Sequence, residues 1–131
     1  MAVAERDFIH NIHIKLIDHE AAMLLTYPHL RMTIVAMLVD VKIEVIKRLK
    51  KLQQRVTVNS NDNDELVALR ELVGHFNAAD ASVRKDYPTG SGGFVGHPMV
   101  AVSIGICDIR QLLLTRLTEL DAKVKAQEAT E

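Results

Sequence analysis

Hydrophobic residues recur every three or four positions along most of this chain, and that spacing is typical of α-helices. The apolar runs are separated by prolines, by the polar segment "NSNDNDE" and by a glycine-rich segment. We therefore predict helices over about residues 4–26, 29–56, 62–87 and 98–126, and a Gly-rich loop over residues 88–97.

The steps of three and four residues favour helices that pack nearly parallel to one another. Short connections after the first and second helices would make neighbouring helices antiparallel. The chain has 131 residues, which suits one domain. The sequence thus predicts a single all-α domain over residues 1–131, an antiparallel up-down-up-down four-helix bundle.

The two halves of the chain resemble each other. Moving the first helix by 60 residues aligns it with the third, and moving the second helix by 68 residues aligns it with the fourth. The Gly-rich loop supplies the difference of eight residues. Duplication of a helical hairpin and chance similarity between amphipathic helices both remain open. The aligned pairs include Glu5 with Glu65, Glu20 with Asp80, Lys42 with Arg110, and Tyr27-Pro28 with Tyr87-Pro88.

Composition narrows the classes of protein. Hydrophobic residues make up 48% of the chain, which argues against disorder, and the net charge of −1 gives no field that would attract nucleic acid. A single cysteine, Cys107, excludes an internal disulfide. The start lacks a signal-peptide pattern and the longest apolar runs are too short to cross a bilayer, so we expect a cytoplasmic protein with no membrane association.

Several polar side chains project into the apolar arcs of the predicted helices, among them His13, Glu20, Asp80 and Arg110. Because an unpaired buried charge costs several kcal/mol, such residues need partners. We predict a buried polar network of Glu20, Asp80 and Arg110, with His13 as a further member. A structural role and a ligand pocket both fit this pattern. His19 falls at the edge of its arc and is predicted to lie on the surface.

A metal site is a further alternative. Asp7, His10 and His13 follow one another at intervals of three residues, as the Glu/His pairs of carboxylate-bridged di-metal bundles do. Those bundles take carboxylates from all four helices, whereas Asp40 and Asp108 project away from the apolar arcs. We therefore predict no metal and no cofactor, with Asp7, His10 and His13 as the alternative ligands.

The most unusual segment is "DYPTGSGGFVGHP", which joins the third helix to the fourth. In the predicted bundle it lies at the same end as "TYPH", and together these segments gather aromatic and basic residues. The glycine spacing does not match a dinucleotide fingerprint, and the Lys-Ser/Thr of a P-loop is absent. This end is our predicted site for a protein partner or small ligand, with these residues: Tyr27, His29, Arg84, Tyr87, Ser91, Phe94 and His97.

The segment "RELVGHF" suggests a different function. Its Arg70 and His75 have the spacing of the Arg-His motif of the HEPN family, and the chain resembles those small helical ribonucleases in this motif, in size and in helical content. The resemblance implies ribonuclease activity at Arg70 and His75. On a regular helix the two side chains would project about 140° apart, so a shared site requires a kink, which Gly74 would allow.

The first helix and the first half of the second are apolar almost all round, more than one bundle buries. We predict a homodimer or a higher homo-oligomer that buries parts of these two helices. The preferred function is a non-enzymatic binding module that acts through the end of the bundle formed by the loops between helices 1 and 2 and between helices 3 and 4. The alternatives are a HEPN-like ribonuclease and a metal-binding bundle.

Overall fold

A computed structural model describes residues 4–54, 62–86 and 99–129. Over these residues the chain forms four α-helices and one turn of 3-10 helix, with no strand. The predicted all-α class and the four helices are confirmed. The helices are α1 (Glu5–Thr26), α2 (Arg31–Gln53), α3 (Asp62–Asp86) and α4 (Met99–Ala129), and the 3-10 turn is Pro28–Leu30.

The connection between α1 and α2 follows from Tyr27 and Pro28. Tyr27 leaves the helical region, with φ −128° and ψ 65°, and its backbone N–H donates to the carbonyl of Met23. Pro28 fits the first position of the 3-10 turn, where no backbone N–H is needed. The chain direction bends by 114° between α1 and α2. Helix α2 therefore begins at Arg31, two residues after the predicted start.

Each helix packs on two neighbours in a ring, α1 on α2, α2 on α3, α3 on α4 and α4 on α1. The core is formed by apolar residues that recur at helical spacing, and on α2, α3 and α4 most of those in the described residues are buried. Leu30, Met37, Val73 and Leu117 are half-buried against it. The fully buried side chains of largest volume are Phe76, Ile9, Ile12, Leu16, Ile34, Leu38, Leu69, Met99, Ile106 and Leu113.

Helix α1 contributes few residues to this core. Only Ile9, Ile12 and Leu16 are buried apolar residues on it, together with the carboxylate of Glu5. Ile14 and Ile17 on the same helix are 41% and 45% exposed. Much of the apolar surface of α1 is thus left outside the core.

Candidate functional site

The carboxylate of Asp80 lies at the centre of a polar cluster between α3 and α4. The hydroxyl of Ser103 donates to Asp80 Oδ1 at 2.6 Å, and Nε of Arg84 donates to Oδ2 at 2.9 Å. Nη1 of Arg110 is 3.8 Å from the same oxygen. Asp80 is 6% exposed, so this carboxylate is desolvated and satisfied by neighbours rather than by water.

The partners of Asp80 decide its ionisation. Burial alone would raise the pKa of Asp80, but the hydrogen bonds from Ser103 and Arg84 and the charges of Arg84 and Arg110 outweigh it, so the pKa is lowered. In return, the hydrogen bond to Asp80 raises the pKa of Arg84. The surroundings of Asp80 therefore favour its ionised form at neutral pH.

The thiol of Cys107 lies beside this cluster. Nη2 of Arg110 donates to Cys107 Sγ at 3.4 Å, while Nη1 of the same guanidinium donates to Asn77 Oδ1 at 2.9 Å. The guanidinium of Arg110 thus contacts the half-buried thiol and also lies beside Asp80.

Glu20 is not joined to this cluster. Its carboxylate accepts a hydrogen bond from Lys42 Nζ at 2.8 Å, within the hairpin of α1 and α2. The other carboxylate oxygen, Oε2, is buried without a hydrogen-bond partner. The predicted network is therefore divided: Asp80 and Arg110 are paired in one hairpin, Glu20 is paired in the other, and His13 is half-buried on α1.

The opposite end of the bundle holds a second set of buried charges that the sequence analysis missed. Arg48 donates to both carboxylate oxygens of Glu5, from Nε at 2.6 Å and from Nη2 at 2.7 Å. Nη2 also donates to Asp64 at 3.2 Å. Burial would lower the pKa of Arg48, but the hydrogen bonds and charges of Glu5 and Asp64 outweigh it and raise the pKa.

A matching pair joins α3 to α4. Arg116 Nε donates to Glu65, whose side chain is 4% exposed, and the guanidinium lies 4.7 Å from the centroid of the Phe8 ring, a cation–π distance. The carboxylate of Glu65 is thus one half of a buried ion pair.

The four ion pairs fall at equivalent positions of the two half-chains. A shift of 60 residues for the acid and 68 for the base converts each pair of the first hairpin into one of the second. Glu5–Arg48 becomes Glu65–Arg116, and Glu20–Lys42 becomes Asp80–Arg110. Both hairpins thus carry one buried or half-buried ion pair near each end.

His19 was predicted to lie on the surface, and this was wrong. Its ring is half-buried between α1 and α4, where it lies against Gly105, and Nε2 is 3.3 Å from the carbonyl oxygen of Val102. Burial lowers the pKa of His19 more than the Val102 carbonyl and Asp108 raise it. The small residue at position 105 makes room for the ring, a contact that helical projection of α1 alone does not show.

At the end of the bundle where α1 meets α2, the structure describes part of the predicted binding site. The rings of Tyr27 and His29 meet edge to face with centroids 6.4 Å apart, Tyr27 half-buried and His29 exposed. Leu25 and Met32 beside them are 85% and 84% exposed, the highest values among the exposed large apolar residues that are described. Tyr87, Ser91, Phe94, His97 and the rest of the Gly-rich loop lie outside the described residues.

Arg70 and His75 contact different helices. Arg70 Nη2 is 3.4 Å from Asp121 on α4, and His75 Nε2 is 3.6 Å from Glu44 on α2. Helix α3 continues through Gly74, so the structure does not bring the two side chains together. His75 lines a groove of about 420 Å³ between α2 and α3, which it shares with these lysines: Lys47, Lys50 and Lys51.

The alternative metal ligands do not form a cluster. Asp7 and His10 are exposed and His13 is half-buried. Within residues 4–54, 62–86 and 99–129, no group of three or more His, Cys, Asp or Glu side chains is placed to hold a metal ion.

The chain matches no family model, and the comparisons with characterised proteins and with solved structures gave no significant match. Among the described helices, none is by itself long and apolar enough to cross a membrane; α1 and α2 reach the required length and apolarity only as a pair bent at the turn.

Proposed function

We propose that this protein is a non-enzymatic binding module whose binding surface includes the turn between α1 and α2. The observation that carries the proposal is the exposure of Leu25 and Met32 at 85% and 84% on either side of this turn. Exposed apolar side chains that cluster on a folded surface mark interaction sites. Tyr27 and His29 lie between them and add an aromatic pair to the same end.

The polar clusters support a structural role more than a catalytic one. The carboxylates of Glu5 and Asp80 and the guanidinium of Arg48 are hydrogen-bonded to other side chains. Buried groups that are fully paired have little capacity left for a substrate. A protein partner is therefore preferred over a small ligand, and the cytoplasm remains the proposed compartment, in line with the single cysteine.

The same ion pairs support an antiparallel, duplicated architecture. Along α1 the acids run from Glu5 to Glu20, while their partners on α2 run backwards from Arg48 to Lys42, as expected for antiparallel helices. The pairs of the second hairpin follow the same order. We propose an up-down-up-down bundle that arose from duplication of one hairpin.

The test is a comparison of three full-length baits, each immobilised at the same density in the same lysate. They are the wild type, Leu25→Ser/Met32→Ser, and the control Val67→Ser/Ile104→Ser, which alters exposed apolar residues elsewhere. Burial of each large apolar side chain contributes about 1.5–3 kcal/mol, so the first variant should bind its partner at least about 100-fold more weakly. A partner retained equally by both variants would contradict the proposal.

Enzymatic and ligand-binding alternatives are tested on the same proteins. Cleavage of a short RNA that disappears in His75→Ala and persists in Leu25→Ser/Met32→Ser would favour the ribonuclease alternative. Thermal unfolding of chelator-treated protein against divalent metals, phosphate and nucleotides tests the ligand alternatives. A ligand present at 100 times its Kd should stabilise the protein by about 2.7 kcal/mol.

A further inference from the structure

One face of the bundle is apolar and open to solvent, on the outer side of the hairpin of α1 and α2. On α1 the residues at positions 14, 17, 21 and 25 fall within about 80° of arc, and on α2 those at positions 32, 35, 39, 43 and 46 do the same. Six of the nine exposed large apolar side chains in the described residues lie here. They are Ile14, Ile17, Leu25, Met32, Val35 and Ile43. We call the four positions on α1 and the five positions on α2 together the outer face of the first hairpin.

The ion pair between Glu20 and Lys42 places the two stripes on the same side. Glu20 on α1 and Lys42 on α2 each lie between the arc of their helix that faces the core and its exposed stripe. Because the two side chains meet at 2.8 Å, both stripes continue outward from the same helix–helix contact. The outer face is therefore one surface that spans two helices, rather than two separate exposed stripes.

The second hairpin shows that the fold does not require this apolar surface. Its equivalent positions carry a charged side chain, an amide on each helix and the hydroxyl that serves Asp80. On α3 they are Gly74, Asn77, Ala81 and Lys85, and on α4 they are Val100, Ser103, Cys107, Gln111 and Leu114. The two hairpins share their ion pairs, yet these positions are apolar throughout only in the first; in the second, Ser103 is buried, and the exposed large apolar residues of the described part, Val67, Ile104 and Leu112, lie at other positions. A reason beyond folding must account for the difference.

We infer that a second copy of this chain covers the middle of the outer face, around Ile14, Ile17 and Ile43, in a two-fold symmetric homodimer that leaves Leu25 and Met32 at the turn end to the proposed partner. Symmetry brings residues near the axis against their own copies, so a charged residue there would face a like charge. Ile14, Ile17 and Ile43 occupy the middle of the face, and its nine positions include no acidic or basic residue. The chain's net charge of −1 adds no general repulsion between copies.

The area of the face fits this occupant. Monomers rarely expose continuous apolar patches larger than a few hundred Å². Without Leu25 and Met32, four large side chains are each at least 36% exposed here, and the half-buried Val39 and Ile46 extend the same surface. The four are Ile14, Ile17, Val35 and Ile43. A stable pair of proteins buries about 800 Å² on each partner, and the surrounding polar residues of α1 and α2 would supply the remainder.

The experiment measures the mass of the full-length protein in solution by light scattering and sedimentation over a range of concentrations. We expect the wild type to have twice the chain mass of 14.6 kDa at micromolar concentration. Ile17→Glu/Ile43→Glu should shift the protein to the monomer. The control Gln111→Glu/Thr115→Glu adds the same charge to exposed positions of the second hairpin and should leave the dimer intact.

A wild type that remains monomeric at about 100 µM overturns the inference, because two-fold contacts of this size hold well below that concentration. So does an Ile17→Glu/Ile43→Glu variant that folds and stays dimeric. If circular dichroism shows that this variant does not fold, Ile17→Gln/Ile43→Gln replaces it with uncharged side chains. Cross-links between isotope-labelled and unlabelled copies then locate the contact, and links confined to α3 and α4 also overturn the inference.

The dimer and the proposed partner site fail separately in these tests. Leu25→Ser/Met32→Ser alters the turn end of the face and is measured by partner retention, whereas Ile17 and Ile43 are measured by mass. A monomeric protein that retains a partner through the turn contradicts only the dimer. A dimer whose partners ignore Leu25 and Met32 contradicts only the partner site.

Discussion

Replacing Arg48 with Met should lower the free energy of unfolding by roughly 3–5 kcal/mol. The reason is the carboxylate of Glu5, whose side chain is only 1% exposed and which takes both of its short hydrogen bonds from Arg48. Methionine keeps much of the apolar stem of arginine but donates nothing. The variant thus leaves a buried charge without a partner, and the loss is a large part of a total stability of about 5–15 kcal/mol.

Equilibrium unfolding in urea, followed by helical circular dichroism, measures this loss. The control is Arg70→Met, because Arg70 is 57% exposed and its contact with Asp121 is 3.4 Å long. Exposed ion pairs of this kind contribute about 0–1 kcal/mol. The same substitution should therefore cost several times more at position 48 than at position 70.

The double variant Glu5→Gln/Arg48→Met separates the charge from the packing. Removing the carboxylate together with its partner should recover part of the stability lost in Arg48→Met, since the unpaired buried charge is gone. A loss below about 1 kcal/mol for Arg48→Met would refute the reasoning. It would mean that the first turn of α1 opens and hydrates Glu5 at little cost.

Three further outcomes follow from the contacts of His19 and Asp80. Gly105→Ala should destabilise by about 1–3 kcal/mol in thermal unfolding, because the new methyl overlaps the His19 ring; an unchanged or higher midpoint would contradict this contact. Since burial lowers the pKa of His19, the unfolded chain binds a proton at this ring more readily than the folded chain does. The contribution of neutral His19 to the free energy of unfolding is therefore present above about pH 6.5 and is lost as the pH falls below it. Urea titrations of His19→Gln should show a shallower fall, and an equal slope would argue against the burial. Ser103→Ala removes the 2.6 Å bond to Asp80 and should cost about 1.5–3 kcal/mol in urea; a cost near zero would mean that water replaces the hydroxyl.

The helices were predictable because periodicity is a local property of the sequence. Residues such as Ile34, Val41 and Val45 repeat at helical spacing, and burial against neighbouring helices then follows from the stripe alone. Helix ends were less predictable: α2 begins at Arg31, after a 3-10 turn, and not near residue 29, and α4 continues to Ala129 beyond its predicted end near residue 126. These ends depend on local backbone geometry that apolar spacing does not encode.

The partners of the polar residues were harder to predict, because helical projection gives a direction and not a neighbour. Glu20 projects inward as expected, but its hydrogen-bond partner is Lys42 on the adjacent helix and not a group of the second hairpin. Arg48 was missed because it lies in the lysine-rich segment "KRLKKL", which looks like a solvated face. One signal was available: its alignment with Arg116 and that of Glu5 with Glu65 mark charges that recur together.

The two hairpins therefore separate what the fold needs from what it does not. A buried ion pair is weak evidence for stability, because apolar residues of similar size often stabilise as well; its use is to make one arrangement of helices preferable to others. The pairs of the first hairpin recur in the second, so they carry this architectural role in both. The nine positions of the outer face are apolar throughout in the first hairpin, whereas their equivalents in the second are a mixture of polar and apolar residues. Interaction is thus expected where the halves diverge, at the outer face of the first hairpin, and not at the charges that they share.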